Sequence, residues 1–82
     1  MNPTMSDLPP LPRTPLGRYR HYKGRDYRVL GIARHSETLE PLVVYQALYG
    51  ERGLWVRPAA MFVETIEHQG ATVPRFAFVG VD

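Results

Sequence analysis

The segment Arg34-His35-Ser36-Glu37-Thr38 packs a guanidinium, an imidazole, two hydroxyls and a carboxylate into five residues. A polar loop on a β scaffold is where binding groups tend to sit. The same residues also suit an ordinary strand connection in which Ser36 and Thr38 bond their own backbone. Trp55 and Arg57 are two apart, so in a strand they share a face. An indole beside a guanidinium can hold a flat ring while the planar fork grips a carboxylate or phosphate. Tyr45 and Tyr49 share one face of their strand by the same parity. The opposing reading has Trp55 filling the core and Arg57 covering its edge. Glu64 alternates with Phe62 and Ile66, so a strand would carry it on the apolar face. There it needs a cation such as Arg57 or Arg34, or it titrates upward. If that segment is helical, the argument lapses.

Other chemistries find less support. A hydrolase triad needs a base within hydrogen-bond reach of its nucleophile, yet His35 and Ser36 are adjacent, and neighbours on an extended chain point apart. His21, His35 and His68 have neither the i, i+4 helical spacing nor the His-x-His pairing of metal ligands. No catalytic residue, metal or cofactor is therefore assigned. Charge is uneven. Arg18, Arg20, Lys23, Arg25 and Arg28 face the single Asp26, while the rest of the expected domain is mildly acidic. One basic edge is expected, either a solvated strand edge guarded by charge or a contact for nucleic acid.

The elements that must position these groups are short. The chain has 82 residues and no cysteine, which allows one domain held by packing, without disulfides or thiolate zinc. One Trp, five Tyr and three Phe are suited to that task. Residues 1–16 read as a leader, with Pro3, Pro9, Pro10, Pro12 and Pro15 favouring extended polyproline conformation. Pro9-Pro10-Leu11-Pro12-Arg13 resembles a ligand for aromatic-grooved peptide readers, or is simply a disordered tail. From residue 17 to 82 the pattern is that of one β domain. Arg18–Tyr22, Asp26–Arg34, Leu42–Tyr49, Leu54–Arg57 and Arg75–Val79 alternate as strands, divided by glycine-bearing or polar turns. Within the second, Tyr27, Val29 and Ala33 are expected opposite Arg28, Leu30 and Ile32. Pro58–Gln69 fits an amphipathic helix or, as favoured here, a helical turn at Pro58–Met61, a strand at Phe62–Glu67 and a hairpin turn at Gln69-Gly70. Five to six antiparallel strands suggest a small barrel or roll, since closure removes most edges. No apolar run approaches the ~20 residues of a membrane-spanning helix, and no basic cluster precedes an apolar run at the N-terminus. A cytoplasmic protein is expected.

Four linked stretches carry a resemblance: Gly17-Arg18-Tyr19-Arg20-His21-Tyr22-Lys23-Gly24, Tyr27 through Thr38, Val43-Val44-Tyr45-Gln46-Ala47-Leu48-Tyr49, and Leu54-Trp55-Val56-Arg57-Pro58 with Met61-Phe62. Together they resemble the bacterial domain-of-unknown-function family 1653, over about Gly17 to Val79. The resemblance implies a compact SH3-like β-roll and moves Pro58–Gln69 toward strand. It implies no activity.

The expectation that follows is a non-catalytic binding module. Its face would be formed by Arg34, His35, Glu37, Tyr45, Trp55 and Arg57, with Glu64 as a further ligand or partner group. An anionic or aromatic ligand is expected: a peptide, a nucleotide or RNA. Two alternatives stand beside it. One is a small hydrolase or nucleotide-processing enzyme using His35 with Glu37 or Glu64 as acid and base. The other is a subunit of a larger assembly with the aromatic face buried by a partner chain.

Overall fold

Alternation between ring-bearing and charged residues builds the first strands, and pairing between consecutive strands turns them into a meander. The computed structural model describes residues 10–81. Its elements are β1 (Gly17–His21), β2 (Asp26–Arg34), β3 (Pro41–Ala47), β4 (Leu54–Pro58), α1 (Ala59–Phe62), β5 (Thr65–His68), β6 (Ala71–Pro74) and β7 (Phe76–Gly80). The main sheet has five antiparallel strands in the order β4-β3-β2-β1-β7, and β5-β6 is a separate hairpin. The mostly β class expected from sequence is what the chain adopts. The sheets do not close into a barrel: β4 and β7 remain the two edges, because the hairpin pairs with itself and not across them.

One face of the sheet carries the core. Tyr19, Val29, Val43, Tyr45, Ala59, Phe62 and Phe76 are buried together, with Tyr27 and Ile32 packed against them. The core is largely a cluster of rings. Phe62 lies parallel to Phe76, with centroids 4.3 Å apart. It meets Tyr19 and Tyr45 edge-on, an arrangement that matches the positive rim of one ring to the negative face of another. α1 exists to deliver Phe62. Pro58, at φ −51°, ends β4 and enters the helix without strain. The helical turn is thus one residue later than expected, at Ala59–Phe62. Phe62 belongs to the helix and not to the following strand, and β5 begins only at Thr65.

Two local departures have clear causes. In β2 the register shifts between Val29 and Gly31, so Leu30 is an extra residue and the alternation changes phase. Ile32 therefore faces the core, Ala33 faces outward, and the strict alternation expected from sequence fails after Val29. The strand β6 was not legible in its four residues, but its turn was. Gln69 and Gly70 sit at φ 52° and 79°, the paired positive values of a two-residue hairpin turn. Gly17 is required for a different reason. At φ +136°, a Cβ there would lie 2.6 Å from the carbonyl oxygen of Gly80, where β1 runs beside β7.

The expected basic edge is not an edge. β1 and β2 are interior strands, and Arg18 pairs with Arg28 and Arg20 with Asp26 across their ladder. Buried Tyr19 fixes the parity, so these side chains lie on the outer face of the sheet. Asp26 accepts from Arg20 Nε at 2.8 Å and from Arg18 at 3.2 Å. Those bonds, Arg20's first, hold its carboxyl below the usual range despite partial desolvation. Arg25 is placed differently, its guanidinium 4.5 Å from the centre of the Tyr49 ring. Lys23 sits over Tyr22.

Residues 10–16 have no regular secondary structure and are mostly exposed. The hydroxyl of Tyr19 donates to the Pro15 carbonyl at 2.8 Å, which ties this segment to β1. The rest of the proline-rich leader, including Pro9 of the peptide-like stretch, lies outside the described residues. Among the described residues, no helix is long and apolar enough to cross a membrane.

Candidate functional site

Antiparallel register decides which side chains of β3 and β4 are neighbours. Tyr45 pairs with Trp55 and Val43 with Arg57, and residues directly opposite share a face. Trp55 and Arg57 therefore stand on the core-bearing face, as their spacing suggests. They differ in depth. Tyr45 is 5 % exposed whereas Trp55 is 58 % exposed, because β4 is the last strand of the sheet and no described strand pairs beyond it. The indole faces solvent and does not fill the core. Tyr27 arrives from β2, next to β3, and Tyr49 from the turn after β3. The result is an open pocket of about 210 Å³ lined by Tyr27, Tyr45, Tyr49, Trp55 and Arg57.

The pocket is internally braced. The hydroxyls of Tyr27 and Tyr49 share a hydrogen bond of 2.6 Å. Their rings meet edge-on at 5.5 Å, and Tyr27 meets Tyr45 in the same way. Burial, helped by the bond to Tyr49, pushes the Tyr27 phenol up to about 12. It is a neutral hydrogen-bonding group throughout the physiological range. Arg57 Nε donates to the Tyr45 hydroxyl at 3.3 Å, and the guanidinium lies over Phe76, 5.6 Å from the ring centre. Nε is thus engaged by the protein. Among the described residues no carboxylate pairs with Arg57, so the terminal nitrogens of its fork are available to a ligand. Nearby His21 reports the local field. Desolvation first, then the charges of Arg57, Arg75 and Lys23, push its imidazole below the ordinary value.

The other candidates from sequence lie elsewhere. Arg34 pairs with Pro41 at the far end of β2. It is five positions beyond Val29, the partner of Tyr45, hence roughly 15 Å along the strand. His35 and Glu37 are in the β2–β3 turn. There the His35 Nδ1 accepts from the backbone N–H groups of Glu37, at 3.0 Å, and Thr38, at 3.3 Å, so one face of that imidazole is committed to shaping the turn. Glu64 is exposed between α1 and β5, and its backbone carbonyl receives the N–H of Arg75. Its expected place on an apolar strand face is not realised, because α1 consumes Phe62 and breaks the alternation. The structure thus brings together Tyr45, Trp55 and Arg57, and leaves Arg34, His35, Glu37 and Glu64 outside their pocket. Tyr27 joins the site unannounced; its alternation was visible, but its register against Tyr45 was not.

Two clefts among the described residues are about twice as large. One, of about 420 Å³, runs between residues 10–14 and Pro41, Ala59, Ala60 and Val63. The other, of about 410 Å³, lies between the β1–β2 turn and the hairpin, with His21, Tyr22 and His68 on its wall. The first has no ring to stack upon. The second has one arginine, Arg20, which Asp26 already engages. No three His, Cys, Asp or Glu among the described residues gather as a metal site would require.

Comparison with known proteins agrees with the architecture. Residues 17–78 match the family model described as Protein of unknown function (DUF1653). The chain belongs to this family. Its fold is similar to the crystal structure of a DUF1653 protein from Bordetella bronchiseptica. The TM-score is 0.78 and the sequences are 40 % identical over 96 % of each chain. No curated protein matches the chain. The matched span of this DUF1653 chain begins at the first residue of β1 and includes every residue of the aromatic pocket.

Proposed function

We propose that this DUF1653 protein is a small binding module whose pocket takes a flat ring carrying an anionic group, as a nucleotide does. The observation that carries the reading is the solvent-facing Trp55 indole beside an Arg57 fork that no carboxylate among the described residues neutralises. A base on the indole and a phosphate on the fork would use both groups at once. At about 210 Å³ the pocket is below the roughly 300–1,000 Å³ of sites for drug-sized ligands, which suits one ring and not an extended polycycle. Desolvation first, and then the charges of Arg57, Arg75 and Lys23, lower the His21 imidazole; those three cations supply a positive field that welcomes an anion. A cytoplasmic setting and a bacterial source, like that of the Bordetella protein, belong to the same proposal.

The test is an NMR titration of the full chain with a nucleoside monophosphate, a short single-stranded RNA and an acidic peptide. The expected result is shifts centred on Tyr27, Tyr49, the Trp55 indole N–H and the Arg57 side chain with the first two. Binding to RNA that weakens steeply with salt, through phosphate contacts and counterion release, assigns the nucleotide to an RNA strand. A shallow dependence with equal affinity for the monophosphate assigns it to the free nucleotide. Shifts with the peptide alone, or none in these residues for any ligand, overturn the reading.

A further inference from the structure

β4 presents an open sheet edge, guarded by Arg57 and Pro58 at one end only. It is the outermost strand, and Leu54, Trp55 and Val56 are 65, 58 and 59 % exposed with no charge among them. Sheet edges are ordinarily protected by charged residues, bulges or covering chain, because their free N–H and C=O groups invite another strand. The direction of those groups follows from the ladder. Ala47 N–H donates to the Gly53 carbonyl at 3.0 Å, so in this register Gly53, Trp55 and Arg57 turn their backbone groups to β3. Leu54, Val56 and Pro58 turn theirs outward. Pro58 has no N–H, so its place on the free side removes nothing from the ladder.

We propose that a second copy of this chain pairs antiparallel with β4 about a two-fold axis at Val56. The alternation of backbone groups allows two-fold registers centred on a residue, and those that pair β4 with itself over more than one position are centred on Trp55, Val56 and Arg57. Centred on Arg57, the two guanidinium groups would face each other and repel. Centred on Trp55, the indoles would oppose each other, and each Arg57 would face a glycine. Centred on Val56, Trp55 of each chain stands opposite Arg57 of the other on the inner face, a cation–π match made twice. The Val56 residues exchange two backbone bonds. Each Leu54 N–H meets a Pro58 carbonyl, so the missing Pro58 donor is never asked for. Every outward group of Leu54 and Val56 except the Leu54 carbonyl then finds a partner. Two five-stranded sheets become one of ten strands, with the pockets facing the same way on either side of the axis. The contact is small, so association belongs to the weak class of interfaces. It does not depend on the pocket having a ligand.

The experiment is sedimentation velocity on the full chain without ligand, across ~1 μM to ~1 mM, the range in which weak association is resolved. The mass is expected to rise from the 9.4 kDa of one chain toward twice that, with a blue shift of Trp55 fluorescence over the same range. Val56→Lys and Val56→Glu each place like charges across the axis and are expected to remain monomeric, with unchanged circular dichroism because Val56 packs no core. Mixing the two variants in equal amounts is expected to restore the heavier species. A single-chain mass throughout the range overturns the proposal. So does a dimer that survives either variant alone, or a mixture that fails to recover while the unaltered chain associates. Run on a monomeric Val56 variant, the ligand titration reads the pocket separately, so either result can fail without the other.

Discussion

Replacing Trp55 with alanine separates a binding role from a packing role. Trp55 is 58 % exposed, so it buries about two-fifths of a side chain that covers at most ~250 Å². That is roughly 100 Å², which at ~25 cal/mol per Å² is an upper figure of ~2.5 kcal/mol. Compaction of the unfolded chain brings it to about 2 kcal/mol. A chain of this length has about 4–12 kcal/mol of total stability, so the variant stays folded at 25 °C. Stacking of one base on an aromatic side chain contributes about 1–3 kcal/mol, so nucleotide affinity should drop by about 5- to 150-fold. Urea unfolding followed by circular dichroism gives the first quantity, and NMR titration of wild type and variant in parallel gives the second. A stability loss above about 4 kcal/mol would mean that the indole is a core residue. Unchanged affinity would mean that it is not a platform. Either result refutes the reasoning.

Other perturbations are expected to behave as follows. Phe62→Ala removes the most central buried ring, at 1 % exposure, and should cost about 3–5 kcal/mol, lowering the midpoint of a thermal melt by more than about 10 °C. Arg57→Lys keeps the charge but loses the Nε–H bond to Tyr45 and the planar fork. Nucleotide affinity should fall at least tenfold (about 1.4 kcal/mol) while the melting temperature moves little, and full affinity in the variant would exclude a forked contact. The pH dependence of stability has two windows. The folded-state value of His21 is depressed, so the unfolded chain takes up its proton first and stability falls as pH drops below about 6.5. Asp26 is also depressed, so a second loss begins below about pH 4. Urea midpoints measured between pH 7 and 3 check both, and His21→Gln should flatten the upper window alone. Binding of an anion at Arg57 should raise the His21 value, which its imidazole chemical shifts would report; a ligand that leaves it unmoved does not neutralise Arg57.

Much of the framework could be read from residues alone because period-two alternation is local. Tyr19 between Arg18 and Arg20 declares its face, and Gln69-Gly70 declares its turn. What could not be read depends on pairing between strands. The phase shift at Leu30 exists only relative to β3, and it reverses the facing of Ile32 and Ala33. The basic residues are neighbours in sequence, but the place of Arg18, Arg20 and Arg28 on interior rather than edge strands follows from β7 returning to pair with β1, a contact between distant segments. Parity likewise put Trp55 with Arg57 and could not measure how far Arg34 lies along the same face. His35 illustrates another limit. A histidine that looks reactive in sequence is also well suited to accept two backbone N–H groups and close its own turn.

The β5–β6 hairpin stands apart from the sheet that carries the rings. Its ladder is self-contained; at its base Arg75 N–H meets the Glu64 carbonyl and the Arg75 carbonyl receives the N–H of Tyr22, and His68 meets the Tyr22 ring edge-on at 5.2 Å. The tip at Gln69-Gly70 is exposed and does not line the aromatic pocket. Exposed loop tips of this kind accept added chain. A short tag or fluorophore-bearing loop spliced between Gln69 and Gly70 would give a handle for immobilising the protein with both the pocket and the free strand left open to solution.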